Sequence, residues 1–160
     1  MNGNSRMTPS ARALLDRARR YCALAEQCET GVRQKLIAWG AVAAEVEPVI
    51  ACLRDEDYLN DTRYACSYAE SKILHQHWGR QKVLYQLRLK RLSKEAIAAG
   101  MKVVDDDTYY AILREEAEKK LRLLEPEYSD DRQRRLFTFL TSRGFSLSEI
   151  NHVITNNTEQ

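Results

Sequence analysis

Three side chains of metal-binding type occur close together in this sequence, Cys66, His75 and His77. Thiolate and imidazole groups are common zinc ligands, so their spacing decides whether a site can form. Residues two apart on an α-helix point about 200° away from each other, and the two histidines can converge only where a helix ends between them. We therefore interpret His75 as part of a helical stripe and His77 as a turn residue, and we expect no metal site.

The side chains that could support catalysis are scattered along the chain. There are three histidines, and there is no Gly-x-Ser-x-Gly segment, no glycine-rich phosphate loop and no His-Glu-x-x-His segment. The adjacent carboxylates of Asp105, Asp106 and Asp107 suit the capping of a helix, because a catalytic pair should converge from different elements. The sequence therefore predicts a protein that is not an enzyme and that uses no cofactor.

Cationic side chains are concentrated in the middle of the chain. Between residues 71 and 102 there are eight Lys or Arg and one acidic residue, although the net charge of the whole chain is only +2. Single residues of this kind are usually solvated, but a whole basic block suits an acidic protein surface or a nucleic acid backbone. The candidate partner-binding residues of this block are Lys72, Arg80, Lys82, Arg88, Lys90 and Arg91. A second basic cluster contains Arg132, Arg134 and Arg135.

The segment that carries most of these cations predicts a helix with two apolar sides. Val83 and Leu87 lie on one side at helical spacing, whereas Tyr85 and Leu89 lie nearly opposite. One side must face the core of its own unit. The other side either covers a neighbouring helix or meets a partner.

The elements that position these residues are predicted to be short helices. Charged residues make up 30% of the 160 residues, and only six glycines and three prolines occur, which is unusual for a sheet protein. Helix starts are indicated by capping residues at Thr8, Asn60, Ser93 and Ser146. The expected helices are about nine in number and span 8–26, 29–39, 42–55, 60–76, 79–91, 93–103, 106–124, 129–143 and 146–156.

These helices repeat as a group. Asp61-Thr62-x-Tyr64-Ala65 recurs as Asp107-Thr108-x-Tyr110-Ala111. Three further segments align on Leu36, Leu87 and Leu140, with a period of about 50 residues. After each leucine comes a turn, where Gly40 and Gly144 suit a left-handed conformation and Arg91 stands at the equivalent place.

The fold class predicted from this repetition is all-α. We expect an elongated, curved array of three tandem three-helix repeats, because a unit this small buries enough apolar surface only by stacking on a neighbour. The repeats form one continuous domain and comprise residues 8–56, 57–104 and 105–156. They are called repeat 1, repeat 2 and repeat 3 below.

Little in the sequence indicates a membrane or an oxidising compartment. No apolar run is long enough to span a bilayer, and the first residues lack the apolar stretch of a secretory signal. The spacing of the four cysteines matches neither a zinc ribbon nor a Cys-x-x-Cys site. We expect reduced cysteines in a cytoplasmic protein.

The middle of the chain resembles the signature region of RecX proteins, which are bacterial regulators of the RecA recombinase. The resemblance is carried in residues 58–97 by an aromatic residue, an Asp-x-Arg-aromatic-Ala core, and a glycine followed by basic residues and a leucine. These are Tyr58, Asp61, Arg63, Tyr64, Ala65, Gly79, Arg80, Lys82 and Leu87. Residues 21–40 resemble the first repeat of that family, and the third copy fits more loosely. The chain departs from the family at Lys90-Arg91-Leu92, where a Lys-Gly-aliphatic turn is usual, and at Asn60, where Asp is frequent.

The resemblance implies a monomeric regulator that acts in DNA repair, homologous recombination and the SOS response. RecX proteins lie in the groove of the RecA filament on single-stranded DNA, where they inhibit ATP hydrolysis, strand exchange and co-protease activity. The resemblance leaves open whether the protein also binds bare single- or double-stranded DNA weakly. The alternatives are a general DNA-binding helical repeat protein that makes no direct contact with RecA, and a scaffold for an unrelated protein.

Overall fold

The computed structural model describes residues 7–124 and 129–157 of the chain. All regular structure in these residues is helical. Nine α-helices occur in this part of the chain: α1 (Pro9–Leu24), α2 (Glu29–Ala38), α3 (Ala43–Asp55), α4 (Asp61–Leu74), α5 (Arg80–Leu89), α6 (Lys94–Met101), α7 (Asp106–Leu123), α8 (Ser129–Ser142) and α9 (Leu147–Asn157). The predicted all-α class is confirmed.

Local hydrogen bonds explain where several helices begin. The side chains of Thr8, Asn60 and Ser93 each accept a hydrogen bond from the backbone N–H three residues later. Ser146 and Glu149 form the expected reciprocal pair, since each side chain accepts from the other residue's N–H. Asp105 caps α7, since its side chain accepts a hydrogen bond from the N–H of Thr108.

The turn after the second helix of each triplet has a residue with positive φ in all three copies. Gly40 and Gly144 have φ values of +94° and +99°, and Arg91 has +56°. Arg91 therefore occupies the left-handed region, in which residues other than glycine are usually strained. The departure from the family pattern at this residue therefore keeps the positive φ of the turn.

The helices pack in consecutive triplets. The closest helix pairs join α1, α2 and α3, then α4, α5 and α6, then α7, α8 and α9. Gly100 of α6 lies so close to α4 that a Cβ atom would stand 2.9 Å from the carbonyl oxygen of Ala65. Three-helix units in tandem are thus confirmed, and we keep the divisions after residues 56 and 104 as a proposal.

The residues that the structure describes form two hydrophobic cores. One lies within α1–α3 and is built around Leu15, Leu36 and Ile50. The other is shared by α4–α9, and Cys28 of the first triplet also packs into it. The second and third triplets are therefore joined by a continuous core.

Polar contacts link the first triplet to the second. Asp61 Oδ1 accepts a hydrogen bond from the backbone N–H of Glu29 at 2.9 Å. Arg63 forms ion pairs with Glu26 and Asp57. Burial raises the pKa of Asp61 above its usual range. Two residues of the family-like core, Asp61 and Arg63, thus hold neighbouring units together.

The second and third triplets meet through their backbones. Gly79 N–H donates to the carbonyl of Arg143 at 2.8 Å, and Gln81 N–H donates to that of Gly144 at 3.0 Å. Beside this contact, His77 Nδ1 lies 2.6 Å from Oε1 of the buried Glu116. These contacts fix the position of α5, which carries most of the candidate cations.

Candidate partner-binding surface

Repeat 2 differs from its neighbours in charge. It has nine Lys or Arg and four Asp or Glu, a net charge of +5. Repeat 1 has seven of each, and repeat 3 has eight cationic and eleven acidic residues, a net charge of −3. The small charge of the whole chain therefore conceals one strongly basic unit between a neutral and an acidic one.

Most cations of the basic block are free of carboxylate partners. In residues 7–124 and 129–157, no ion pair involves the side chains of Lys72, Lys82, Arg88, Lys90 and Arg91. In repeat 1, by contrast, Arg19, Arg33 and Arg54 are each paired with a glutamate. The unpaired charges of repeat 2 are available to an anionic partner, and they are concentrated in one unit.

Three of these lysines lie over aromatic rings. Lys90 Nζ is 5.7 and 5.6 Å from the ring centroids of Tyr64 and Tyr68, which are stacked on each other. Lys72 Nζ lies 5.4 Å from the ring centroid of Tyr68 and 4.8 Å from that of Trp78. These distances are within the range of cation–π attraction.

We call this surface the lysine–aromatic strip. Lys82 completes it, with its Nζ 4.3 Å from the ring centroid of Trp78. The strip consists of Tyr64, Tyr68, Lys72, Trp78, Lys82 and Lys90. The two tyrosines pack against the core that α4–α9 share, but both are only half-buried. Burial raises the pKa of Tyr64 to about 12, so its phenol stays neutral beside the lysines.

The outer side of α5 is exposed. Val83 and Leu87 are fully buried on the inner side, as expected. Tyr85 and Leu89 are 60% and 58% exposed. The alternative that this side of α5 covers a neighbouring helix is therefore wrong for this structure. Both side chains are accessible to a partner.

Arg80 is a candidate residue that the structure engages within the protein. Its Nη2 donates to the carbonyl of Val104 at 2.9 Å, and its Nη1 lies 2.9 Å from Oδ1 of Asp106. The guanidinium also stacks 4.0 Å from the ring centroid of Tyr109. Because only 20% of its side chain is exposed, Arg80 joins repeat 2 to repeat 3 and is poorly placed for an external contact.

The second basic cluster is partly neutralised. Arg134 and Arg135 both pair with Asp131 one turn earlier on α8. Arg132 donates through Nη2 to the carbonyl of Leu121 at 2.9 Å. Arg134 and Arg135 are exposed, but the net charge that they present is reduced by their shared aspartate.

No metal site is formed by the described residues. In that part of the chain, no group of three or more His, Cys, Asp or Glu side chains is arranged to hold a metal ion. His77 instead faces Glu116 at the junction of repeats 2 and 3. The four cysteines are free thiols. Among the described helices, none is long and apolar enough to cross a bilayer.

This chain is similar to RecX proteins in its family match, in its sequence relatives and in its fold. A model of the second three-helix domain of RecX matches residues 60–101, and one of the third three-helix domain matches residues 107–154. A regulatory protein RecX of Pelodictyon phaeoclathratiforme is 33% identical over 119 residues, which cover 74% of this chain and 72% of that protein. A regulatory protein RecX of Escherichia coli is 27% identical over 166 residues, which cover 98% of each chain.

Two crystal structures share the fold. RecX from Lactobacillus salivarius superposes with a TM-score of 0.84 at 19% identity and covers 94% of this chain and 97% of its own. Another regulatory protein RecX gives the same TM-score at 21% identity, with coverage of 91% and 73%. At these identities the likeness concerns the fold.

Proposed function

Since this chain belongs to the RecX family of regulatory proteins, we propose that it binds the filament of RecA on single-stranded DNA. Bound there, it inhibits the ATPase, strand-exchange and co-protease activities of RecA. It acts as a cytoplasmic monomer and performs no chemistry itself. Its relatives are named as regulatory proteins, which is in keeping with a role in binding.

The observation that carries this proposal is the unpaired positive charge of repeat 2. An ion pair within the protein would have to be broken before a cation could serve a partner, and that costs free energy. Lys72, Lys82, Arg88, Lys90 and Arg91 avoid this cost because no described carboxylate pairs with them. These five residues are the main contacts that we propose with the filament. Arg134 and Arg135 are a secondary set, whereas Arg80 and Arg132 position helices.

Tandem repeats suit a polymeric partner. A rigid array of units can contact more than one protomer of a filament, and each contact raises the effective concentration for the next. A protein that bridges protomers in this way opposes the changes between protomers that accompany ATP hydrolysis. Inhibition then follows from binding alone.

The proposal is tested by co-sedimentation of the full chain with RecA filaments on single-stranded DNA at several salt concentrations. We expect the triple variant Lys82→Glu, Arg88→Glu, Lys90→Glu to bind at least tenfold more weakly, since charged contacts steer and hold such complexes. Its affinity should also depend less on salt.

A matched control reverses three cations outside the basic block. Arg12, Arg20 and Arg114 are exposed and have no ion pair among the described residues, so the variant carrying Glu at all three has the same net charge. It should bind and inhibit like the natural sequence. Equal losses in the two variants would show that only net charge matters and would contradict the assigned surface.

A second candidate function is direct binding of single-stranded DNA. The lysine–aromatic strip favours it, because alternating cations and rings can hold phosphates and stack bases. Titration with single-stranded DNA in the absence of RecA distinguishes the two functions. Tight binding that falls steeply with salt would support the second one, whereas binding that requires RecA supports the first.

A further inference from the structure

The outer side of α5 carries two large apolar residues one helical turn apart, Tyr85 and Leu89. We call this pair the α5 ridge. Among the helices of residues 7–124 and 129–157, α5 alone exposes two large hydrophobic side chains. Single exposed apolar residues are ordinary on protein surfaces, but an adjacent pair is a more specific feature.

The repeats provide an internal comparison for this pair. When the units are aligned on Leu36, Leu87 and Leu140, the residues that correspond to Tyr85 and Leu89 are Gln34 and Ala38 in repeat 1 and Thr138 and Ser142 in repeat 3. The same helix side is thus polar or small in both other units. Stacking of the repeats does not require the ridge.

The ridge is held in a fixed position. On the opposite side of α5, Val83 and Leu87 are fully buried in the core that α4–α9 share. The N-terminal end of the helix is fastened by the hydrogen bond from Gln81 N–H to Gly144. Binding therefore requires little ordering of this helix, which reduces its entropic cost.

Free cations border the ridge. Lys82 lies one turn before Tyr85 on the same side, and Arg88 is exposed next to Leu89. Neither has a carboxylate partner in the described part of the chain. An apolar centre with a charged rim is the usual anatomy of a protein–protein contact.

We propose that Tyr85 and Leu89 anchor this protein in an apolar cleft that is rimmed by carboxylates on a protein subunit of its partner. This inference rests on the proposed function, which makes that subunit a protomer of the filament. A protein is favoured over nucleic acid because leucine has neither a π-face for a base nor a donor for a phosphate. The lysine–aromatic strip lacks such an aliphatic centre.

The test replaces the two ridge residues with those that repeat 3 has at the equivalent positions. The double variant Tyr85→Thr, Leu89→Ser places on the outer side of α5 the residues that occur at the equivalent positions of α8. It changes no charged residue. We expect at least tenfold weaker co-sedimentation with RecA filaments, because anchors of this kind carry a large share of binding energy. The salt dependence of the remaining binding should be unchanged, since no ionic contact is removed.

The control variant is Ile37→Ser with Leu147→Ser. These residues are 63% and 60% exposed, like those of the ridge, but they lie on α2 and α9. This variant should bind as the natural sequence does. Circular dichroism and thermal unfolding of both variants would verify that the fold is intact.

The outcomes distinguish failure of the proposed function from failure of the ridge as an anchor. Failure of the natural sequence to bind filaments would overturn the proposed function and, with it, the ridge as an anchor. Normal binding by the natural sequence and equal binding by the ridge variant would overturn the anchor alone. If the ridge variant lost binding to bare single-stranded DNA in the same proportion, the ridge would contact nucleic acid and the protein cleft would be wrong.

Discussion

Gly79 and Gly144 touch through their backbones at the junction of the second and third helix triplets. A Cβ atom on Gly79 would lie 2.1 Å from the carbonyl carbon of Gly144, and one on Gly144 would lie 2.3 Å from Cβ of Lys82. Gly79 thus owes its place to close packing, since its φ of −73° is open to any residue. The glycine of the family-like segment is a requirement of the junction between units.

Gly79→Ala should therefore destabilise the protein. Because the obstructing atoms belong to the backbone, the helices must move apart, and we expect a loss of about 1–3 kcal/mol in the free energy of unfolding. Urea unfolding followed by circular dichroism measures it. Gly31→Ala is the control, because its Cβ would stand 3.4 Å from Cys28 Sγ, an ordinary contact. A loss of equal size in both variants would contradict the role of the junction.

Arg91→Gly should stabilise the protein. Arg91 has a φ of +56° at the place where Gly40 and Gly144 occur in the other repeats. The left-handed conformation costs roughly 1–2 kcal/mol for a residue with a side chain, and the greater freedom of glycine in the unfolded chain offsets part of the gain. We expect a net gain of about 0.5–1 kcal/mol in thermal or urea unfolding. Arg91→Val should be destabilising instead, and a more stable valine variant would count against strain at this turn.

Arg80 and Lys82 should respond differently to the same substitution. Arg80→Met removes the hydrogen bond to Val104 and the ion pair with Asp106, so we expect a loss of about 1–3 kcal/mol in stability. Lys82→Met removes a free charge and should weaken filament binding with little change in stability. Unfolding and co-sedimentation of both variants measure these effects. A stable Arg80→Met protein that no longer binds would make Arg80 a contact residue.

Repeat 1 should lose stability in acid. The hydrogen bond from Arg54 holds the pKa of Glu29 below its usual range, although burial opposes the shift. A carboxyl group whose pKa is lowered in the folded state stabilises the fold above its unfolded pKa of about 4.3, and this contribution is lost as the pH falls through the lower folded value.

Glu29→Gln tests this pH dependence by urea unfolding between pH 7 and pH 3. The variant should be less stable by up to about 1 kcal/mol at neutral pH, because Arg54 is half-exposed and the pair is screened. The difference should shrink below pH 4.3 or thereabouts. Glu70→Gln, on the exposed side of α4, is the control. A gap between Glu29→Gln and the natural sequence that stayed constant across the range would exclude a contribution from ionised Glu29.

Much of the fold could be predicted from the sequence because its signals are local. The caps at Thr8, Asn60 and Ser93 act on N–H groups three residues away, and any chain with these residues before an amphipathic run tends to begin a helix there. The positive φ values of Gly40 and Gly144 follow in the same way from the helix ends that precede them. The recurring leucines then indicated three similar units.

The candidate surface was only partly predictable. The basic block is visible in the sequence, but the sequence could not separate Arg80 from Lys82 two residues later. Arg80 points toward the junction with repeat 3, where Val104 of repeat 2 and Asp106 of repeat 3 engage it, whereas Lys82 lies over Trp78. The roles of Asp61 and Arg63 were missed for the same reason, since their partners lie in another unit. Their presence in the family-like segment was the one available signal.

The sequence by itself determined that this protein is a chain of short helices in three similar units with a basic middle. Those properties depend on side chains a few residues apart, whose spacing is set by the geometry of a helix. Only the tertiary structure decided which cations are unpaired, which rings lie beneath them, and that Tyr85 and Leu89 stay open to solvent. Most of those facts depend on neighbours that are distant in sequence, and only the packing of helices within and between units brings such neighbours together.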